Sequence, residues 1–447
     1  MDLSGKKIAV YGLGVSGLGA ITYLRGIALD SLVIVNKGEG WESEVGAFSY
    51  PITTLSEGTP EAITALSQVD LILLAPGIPR SSETLRDAHA NKIPIWNELE
   101  LASRFFLGPI IALTGTNGKT TSVSFLEVVL KELGFHPFVG GNIGRSFLEG
   151  LSTKENFDVA LLEVSSFQCE SLDQLRAEVA GILNLFPNHG ERYDHVEDYR
   201  LAKWLLARPQ KKGDHFFVGP GCGAAPEAFE ATIHPVLEEE LSEHFDISTL
   251  KIVGEHNRFN LWFCWRMIKA FCDERGLEAR PAFERAMSSF KGVEHRIEYV
   301  GTLKKDSRVT TFYNDAKSTN WQATLTAMKA VSELGQKVSV LIGGQLRGHN
   351  DEAPKEVKRF LKEHPSYKIF LYGESRDLLE NSFHDKNQEE SVVKASAASL
   401  EEVIELAKEH QSDEEEVILL SPAFPSFDQF KNYAQRGKRF KELISLQ

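Results

Sequence analysis

The stretch Leu113-Thr114-Gly115-Thr116-Asn117-Gly118-Lys119-Thr120-Thr121 combines glycines, a lysine and hydroxyls in a spacing suited to the phosphates of a nucleotide. Backbone N–H groups of such a loop cradle phosphate oxygens, Lys119 pairs with the β and γ oxygens, and the Thr120 hydroxyl can ligate Mg²⁺. The usual form of this loop has a glycine five residues before Gly118. Leu113 stands there instead, so the loop is a variant whose first glycine is Gly115. Downstream, Glu163 in Glu163-Val-Ser-Ser166-Phe-Gln168 closes an apolar strand. A carboxylate in that place can hold Mg²⁺, while Ser165 and Ser166 also suit a helix cap. His189, in Asn184-Leu-Phe-Pro-Asn188-His189, reads as a metal ligand or as a polar contact. Lys203, on a helical stretch from Tyr199, reads on composition alone as a surface lysine.

Three further groups carry chemistry. Gly12-Leu-Gly14-Val-Ser-Gly17 follows a strand and opens a helix, the context of a dinucleotide-binding turn. Either phosphates approach the helix N-terminus there, or the glycines only pack strand on helix. A nicotinamide cofactor would want Asp or Glu about 20 residues on. Asn36-Lys37 occupies that place and disfavours it. Gly254-Glu-His256-Asn257-Arg-Phe-Asn260 opens a helix with amides able to read a base edge. Phe312-Tyr-Asn314-Asp315-Ala-Lys317-Ser-Thr319-Asn320 ends a strand with more polar side chains than packing explains.

The elements that must position these groups alternate along the chain. Ile8–Tyr11, Leu32–Val35, Leu71–Ala75, Ile110–Thr114, Val159–Val164, Ile182–Leu185, Val338–Ile342, Lys368–Tyr372 and Val417–Leu420 are continuous apolar runs, as expected of parallel strands covered on both faces. Helical patterns lie between them, which predicts an α/β architecture. The length of 447 residues suggests three domains at about 150 residues each. Breaks at Phe106-Leu-Gly-Pro109 and Gly292-Val-Glu-His-Arg296 place them at 1–108, 109–294 and 295–447.

Composition narrows the classes. Lys and Arg number 49 against 63 Asp and Glu, a net charge of −14. Such a chain repels polyanions, so no nucleic acid is expected as partner. The longest basic cluster is Arg436, Lys438 and Arg439. With 42% hydrophobic and 25% charged residues the chain is neither disordered nor a coiled coil. Four scattered cysteines, Cys169, Cys222, Cys264 and Cys272, read as buried or half-buried free thiols of a reducing cytoplasm. No membrane span is expected. The polar stretch Ser382–Glu390 reads as a surface loop and the acidic run Asp413–Glu416 as solvated.

Taken in order, TGTNGKTT, GGNIG (140–144), EVSSFQ (163–168), NHGERYDHVEDYRLAK (188–203), GEHNRFN (254–260), EHR (294–296), YNDAKSTN (313–320), LIGGQLRG (341–348) and LSPAFPSFDQFKNYAQRGKRF (420–440) resemble the Mur ligases across essentially the whole chain. The resemblance is strongest to the branch that adds D-glutamate to UDP-N-acetylmuramoyl-L-alanine in peptidoglycan precursor synthesis, a step tied to cell-wall biogenesis, cell shape and division. It implies a Rossmann-like UDP-sugar domain, a central P-loop ATPase-type domain with a parallel sheet, and a Rossmann-like C-terminal domain that brings the amino acid. It implies ATP and Mg²⁺ as cofactors and a cytoplasmic monomer. The ATP site would comprise Gly115, Thr116, Asn117, Gly118, Lys119, Thr120 and Thr121, with Asn260, Arg296 and Asp315 on the adenosine. Thr120, Glu163, His189 and a carbamylated Lys203 would bind Mg²⁺, and carbamylation requires a depressed lysine pKa. Gly14, Val15, Ser16, Asn36, Lys37 and Gly77 would line the uridine-diphosphate pocket, with Asn142 between substrate and ATP. Lys317, Thr319, Arg347, Ser426 and Tyr433 would grip the incoming glutamate. Lys119, His189, Lys203 and Lys317 would carry the chemistry, in which a substrate carboxylate is first phosphorylated and then attacked by the glutamate amine.

The sequence departs from the family's pattern at Asn36, where an acidic residue is usual, at Asn188 for aspartate, at Arg347 for lysine, and at Tyr433 for phenylalanine. Arg347 and Tyr433 leave open an L-glutamate-adding ligase. Other readings are a non-catalytic sensor of UDP-linked precursors, a plain ATPase and an NAD enzyme. The first is disfavoured by the intact Lys119, Glu163, His189 and Lys203.

Overall fold

The structure, a computed structural model, describes residues 1–38, 41, 45–190, 192–237, 241–305, 308–346, 353–383, 391–411 and 415–445. It contains three sheets. The first has strands β1 (Lys7–Tyr11), β2 (Ser31–Asn36), β3 (Ile52–Ser56), β4 (Leu71–Leu74) and β5 (Ile95–Trp96), ordered β3-β2-β1-β4-β5 and all parallel. The second has β6 (Ile110–Thr114), β7 (Pro137–Gly141), β8 (Val159–Glu163), β9 (Val179–Ile182), β10 (His215–Val218) and β11 (Thr232–Pro235), ordered β11-β10-β9-β6-β8-β7 and also parallel. The third has β12 (Glu298–Lys305), β13 (Arg308–Asn314), β14 (Lys337–Gly343), β15 (Tyr367–Tyr372), β16 (Val393–Ala397) and β17 (Glu416–Ala423), ordered β12-β13-β17-β14-β15-β16. Only β12 runs antiparallel to its neighbour there. The chain forms two compact units. One comprises Met1–His244 with Phe259–Ala286, the other Phe245–Arg258 with Met287–Gln447.

The apolar runs form central strands because both of their faces are buried. Ile8, Val10, Leu32, Ile34, Leu71 and Leu73 enter one core, while Ala9, Tyr11, Val33, Val35, Ile72 and Leu74 enter another on the opposite face. The same period of two divides Val338, Val340, Ile369 and Leu419 from Leu341, Phe370 and Leu420 in the third sheet. Helices cover each face. Val15–Leu24 buries Ala20, Ile21 and Leu24, and Leu400–Glu409, capped by a Ser399–Glu402 box, buries Leu400, Val403 and Ile404.

A pair of carboxylates in the helix Glu98–Ser103 fastens the first sheet's region to the second. Glu98 accepts the Ser146 hydroxyl and the Phe147 and Leu148 N–H groups, while Glu100 accepts the N–H groups of Asp173, Gln174 and Leu175. Burial pushes the Glu98 carboxyl up to about 7 despite those donors.

Several expectations need correction. The strand expected at Ile182–Leu185 lies at Val179–Ile182. Gly181 belongs inside it, because a Cβ there would lie 2.8 Å from both the Phe217 carbonyl and the Phe263 ring. Glu416 is not solvated. It opens β17 fully buried, accepting the Ser339 hydroxyl at 2.9 Å beside Lys368 at 3.4 Å, while Asp413 and Glu414 lie outside the described residues. Ser382 belongs to the helix Arg376–Phe383, not to a loop, and 384–390 lie outside the described residues. Arg436, of the longest basic cluster in the sequence, has a completely buried side chain. All four cysteines are buried free thiols. Among the described residues no helix is long and apolar enough to cross a membrane.

Candidate active site

In the first sheet the order reverses between β1 and β4, the point where doubly wound sheets bind ligands. Gly14, Val15 and Ser16 follow β1, Asn36 and Lys37 end β2, and Gly77 follows β4, so topology brings all six to the carboxyl edge of three adjacent strands. The two readings of the glycine turn fall on different glycines. Gly17 serves packing, since a Cβ there would lie 1.9 Å from the Gly12 carbonyl oxygen. Gly14 faces open space, with nothing within 4 Å of its would-be Cβ. Asn36 accepts the Leu13 N–H at 3.2 Å, so it braces the turn as a carboxylate would.

In the second sheet, β6 lies between β8 and β9, and the loops following these three strands converge. Gly118 caps the helix Lys119–Glu132 in a left-handed conformation, φ +79°, and a Cβ there would lie 2.7 Å from the Asn260 amide. Only glycine fits that position without strain. Asn184 clamps the loop, its carbonyl oxygen taking the Thr116 N–H and its side chain exchanging two hydrogen bonds with Asn117. Lys119 curls over the loop and donates to the Gly115 and Thr116 carbonyls at 2.8 and 2.9 Å.

Lys203 is not a surface lysine. Its side chain is buried, and its ammonium donates to the Gly115 carbonyl at 2.9 Å and the Thr114 hydroxyl at 3.2 Å, above the Tyr199 ring. Two lysines thus share the Gly115 carbonyl. Burial first, and the nearby Lys119 charge in addition, push the Lys203 amine down to about 8, although Cys169, Cys222 and Glu163 pull the other way. Tyr199 links the parts, with its hydroxyl 3.1 Å from the Thr116 hydroxyl and in contact with the Asn188 side chain. Its ring lies edge-on to His189.

Glu163 is buried at the end of β8. Asn142 donates its N–H to the Glu163 carbonyl at 2.8 Å and its amide to Oε1 at 2.9 Å. Among the described residues, Glu163 Oε2 is buried without a hydrogen-bond partner. An anionic oxygen left so is costly, and a cation would satisfy it. His189 sits at φ +56°, a left-handed conformation that costs roughly 1–2 kcal/mol in a residue with a Cβ. Among the described residues no three His, Cys, Asp or Glu side chains meet as a metal site. A metal at Glu163 and His189 therefore needs donors of other types, such as Thr120 or a modified Lys203.

The other unit holds a second polar group. Asp315 follows β13 and is buried. It accepts the Ser421 hydroxyl at 2.7 Å and the Ile297 N–H at 3.3 Å, and burial outweighs these donors to push its carboxyl up to about 7. Arg296, exposed, lies between His295 and Ile297, both at positive φ. The Lys317 N–H reaches the His295 carbonyl at 3.1 Å, and the Lys317 ammonium lies 5.4 Å from the centre of the Tyr433 ring. Ser426 is buried just past β17, and Thr319 is half-buried. Arg436 donates to the carbonyls of Ala316, Gly343 and Phe424 at 3.0, 3.4 and 2.9 Å and so ties together the ends of β13, β14 and β17. Arg347 lies outside the described residues. Sequence reasoning missed Asn184, Tyr199, Ser421 and Arg436. Asn184 and Ser421 could have been found as polar residues at the ends of buried strands.

Similarity to known proteins gives the class to which this fold and loop belong. Residues 113–225 match the Mur ligase middle domain. The chain is 32% identical to a UDP-N-acetylmuramoylalanine–D-glutamate ligase of Alkaliphilus metalliredigens, covering 100% of this chain and 99% of that one. It is 30% identical to the protein of the same name from Koribacter versatilis, covering 99% and 98%. Its fold is similar to the UDP-N-acetylmuramate-alanine ligase MurC of Thermotoga maritima, with a TM-score of 0.52 at 18% identity over 99% of both chains. It is similar also to MurF of Acinetobacter baumannii, with 0.53 at 18% over 88% of both. The chain belongs to the Mur ligase family, and it is an ATP-dependent amino-acid ligase.

Proposed function

We propose that this chain joins D-glutamate to UDP-N-acetylmuramoyl-L-alanine, using ATP, in peptidoglycan precursor synthesis in the cytoplasm. The observation that carries the reading is the buried Lys203, sharing the Gly115 carbonyl with Lys119, in a chain 30–32% identical over its whole length to ligases of that name. Residues 1–108 would hold the UDP-sugar, 109–294 ATP, and 295–447 the amino acid.

The chemistry follows from charge. The carboxylate of the alanyl substrate attacks the γ-phosphorus of ATP, ADP leaves, and an acyl phosphate results. The glutamate amine then attacks the acyl carbon, the amine's proton is lost, and phosphate departs. Two anions must meet in the first step. Lys119 and the N–H groups of the helix N-terminus from Lys119 to Thr121 would offset that repulsion at the phosphates, and Asn142, which is bonded to Glu163, is assigned a place between substrate and ATP. Arg296, Asp315 and Asn260 are assigned to the adenosine. Lys317, Thr319, Ser426 and Tyr433 are assigned to the glutamate, together with Arg347.

Mg²⁺ would be held by Thr120, Glu163, His189 and Lys203. The unpartnered Glu163 Oε2 fits a cation, and an amine pushed down to about 8 leaves enough neutral Lys203 to take up carbon dioxide as a carbamate. When bound, the ion supplies the positive charge that lets carboxylate and triphosphate approach.

The test is phosphate release from ATP with UDP-N-acetylmuramoyl-L-alanine and, in turn, D-glutamate, L-glutamate, D-aspartate and meso-diaminopimelate. Release with D-glutamate alone is expected. Release with L-glutamate instead would assign the other enantiomer. Release without any amino acid would make the chain an ATPase, and tight sugar-nucleotide binding without release would make it a sensor.

A further inference from the structure

Glu170 follows the short helix Ser166–Cys169 and takes no part in the chemistry above. Its carboxylate is largely buried, at 18% exposure, and so is its partner Arg192, at 12%. One oxygen accepts the Tyr193 hydroxyl at 2.6 Å and the other the Arg192 guanidinium at 2.5 Å. The same two residues donate their backbone N–H groups to the His189 carbonyl, each at 3.0 Å. The turn that holds His189 at φ +56° is therefore gripped through both its main chain and its side chains. Phe167, three residues before Glu170, completes the grip. Its ring lies 4.8 Å from the His189 ring and 4.9 Å from the Arg192 guanidinium.

Topology gives this contact its meaning. Glu170 belongs to the segment after β8, which ends in Glu163, and His189 follows β9. Strands β8 and β9 flank β6 on opposite sides. One carboxylate thus ties together the two loops that straddle the phosphate loop.

We infer that Glu170 is a positioning residue that fixes the His189 imidazole relative to Glu163 and so sets the metal affinity of that pair. The inference rests on the metal roles proposed above for these two residues. A carboxylate suits the task because its two oxygens accept the phenol and the guanidinium together, and the ionic partner strengthens the contact. Residues that orient a ligand without touching the ion still govern affinity, because a strained, loosely held imidazole must be ordered when the metal binds.

The test titrates Mn²⁺, followed by electron paramagnetic resonance, into the full chain saturated with the non-hydrolysable analogue AMPPNP. Glu170→Ala should weaken Mn²⁺ by about 10–100-fold and lower kcat with the sugar-nucleotide KM unchanged. Glu170→Gln, which keeps an acceptor for the Tyr193 hydroxyl, should recover most of the affinity. Adding Glu170→Ala to His189→Ala should cost little more than His189→Ala alone. Unchanged Mn²⁺ affinity in Glu170→Ala overturns the inference. So does a parallel loss of sugar-nucleotide binding and thermal stability, which would mark a general structural role. His189→Ala separates the two claims. If it leaves Mn²⁺ binding intact, the metal role of His189 falls. If it weakens Mn²⁺ while Glu170→Ala does not, only the present inference falls.

Discussion

Lys203 beside the phosphate loop and Asp315 at the end of β13 are opposites placed in the same predicament. One is a base, the other an acid, and each is buried under the carboxyl edge of a parallel sheet with two or more hydrogen-bond partners. Burial pushes the lysine down to about 8 and the aspartate up to about 7, and in both it outweighs the neighbours that favour charge. The lesson is that desolvation dominates at both places, and that it moves groups of opposite sign toward neutrality. Arg436 sharpens the point. It is as buried as either, and the fold surrounds its guanidinium with three carbonyls.

The largest effect that would break this comparison concerns Lys203 itself. Lys203→Ala should lose more than about 100-fold in phosphate release, beyond the cost of removing a merely supporting residue. A short-chain carboxylic acid should restore part of it and bicarbonate should not. Undiminished turnover would show that the buried amine is packing, not chemistry. Next comes Arg436→Met. It leaves three buried carbonyls without their donor and should lower the free energy of unfolding by about 3 kcal/mol, read by urea denaturation. Its surviving activity should show a raised KM for the amino acid and an unchanged KM for ATP. Equal rises in both would show that Arg436 supports the strand ends generally, not the residues proposed for glutamate. Gly118→Ala should cost about 1–3 kcal/mol through the clash with Asn260 and the left-handed φ, and should weaken AMPPNP binding measured by calorimetry.

The smallest effect is the most direct test of opposite sign. Between 3.8 and about 7 the folded chain holds the Asp315 proton more firmly than the unfolded chain, so this group's stabilising contribution falls as pH rises through that window. Between about 8 and 10.5 the folded chain holds the Lys203 proton less firmly, so stability rises with pH there and is lost as pH falls toward 8. In thermal unfolding followed across pH, Asp315→Asn should flatten only the lower slope and Lys203→Met only the upper. A variant that changed both would show that the two groups are not independent.

The strands legible in the sequence were those buried on both faces, such as Ile8–Tyr11 and Val417–Leu420. The strands that escaped are β3, β5, β7, β11, β12 and β16, the edges of the three sheets, together with β10. Ile52–Ser56 shows why. Four of its five residues are exposed, so no apolar run marks it. An edge strand is held by backbone hydrogen bonds to one neighbour, which leave no imprint on side-chain type. Within the candidate site, Lys119 and Gly118 were legible because a phosphate loop is local, with all its donors in one turn. Lys203 was legible only through the family resemblance, because on its own helix it looks like any exposed lysine, and its depressed pKa agrees with that expectation.

The residue types and their order determine by themselves that this is a parallel α/β chain with a nucleotide loop, and the family to which it belongs. The tertiary structure decides what those residues have become. It buries Lys203 over Tyr199 and pushes its amine down to about 8, leaves Glu163 Oε2 without a hydrogen-bond partner among the described residues, turns Asp315 toward its protonated form and encloses Arg436 among carbonyls. Each of these depends on the distance to groups far away in the chain and on the exclusion of water, neither of which a linear sequence records.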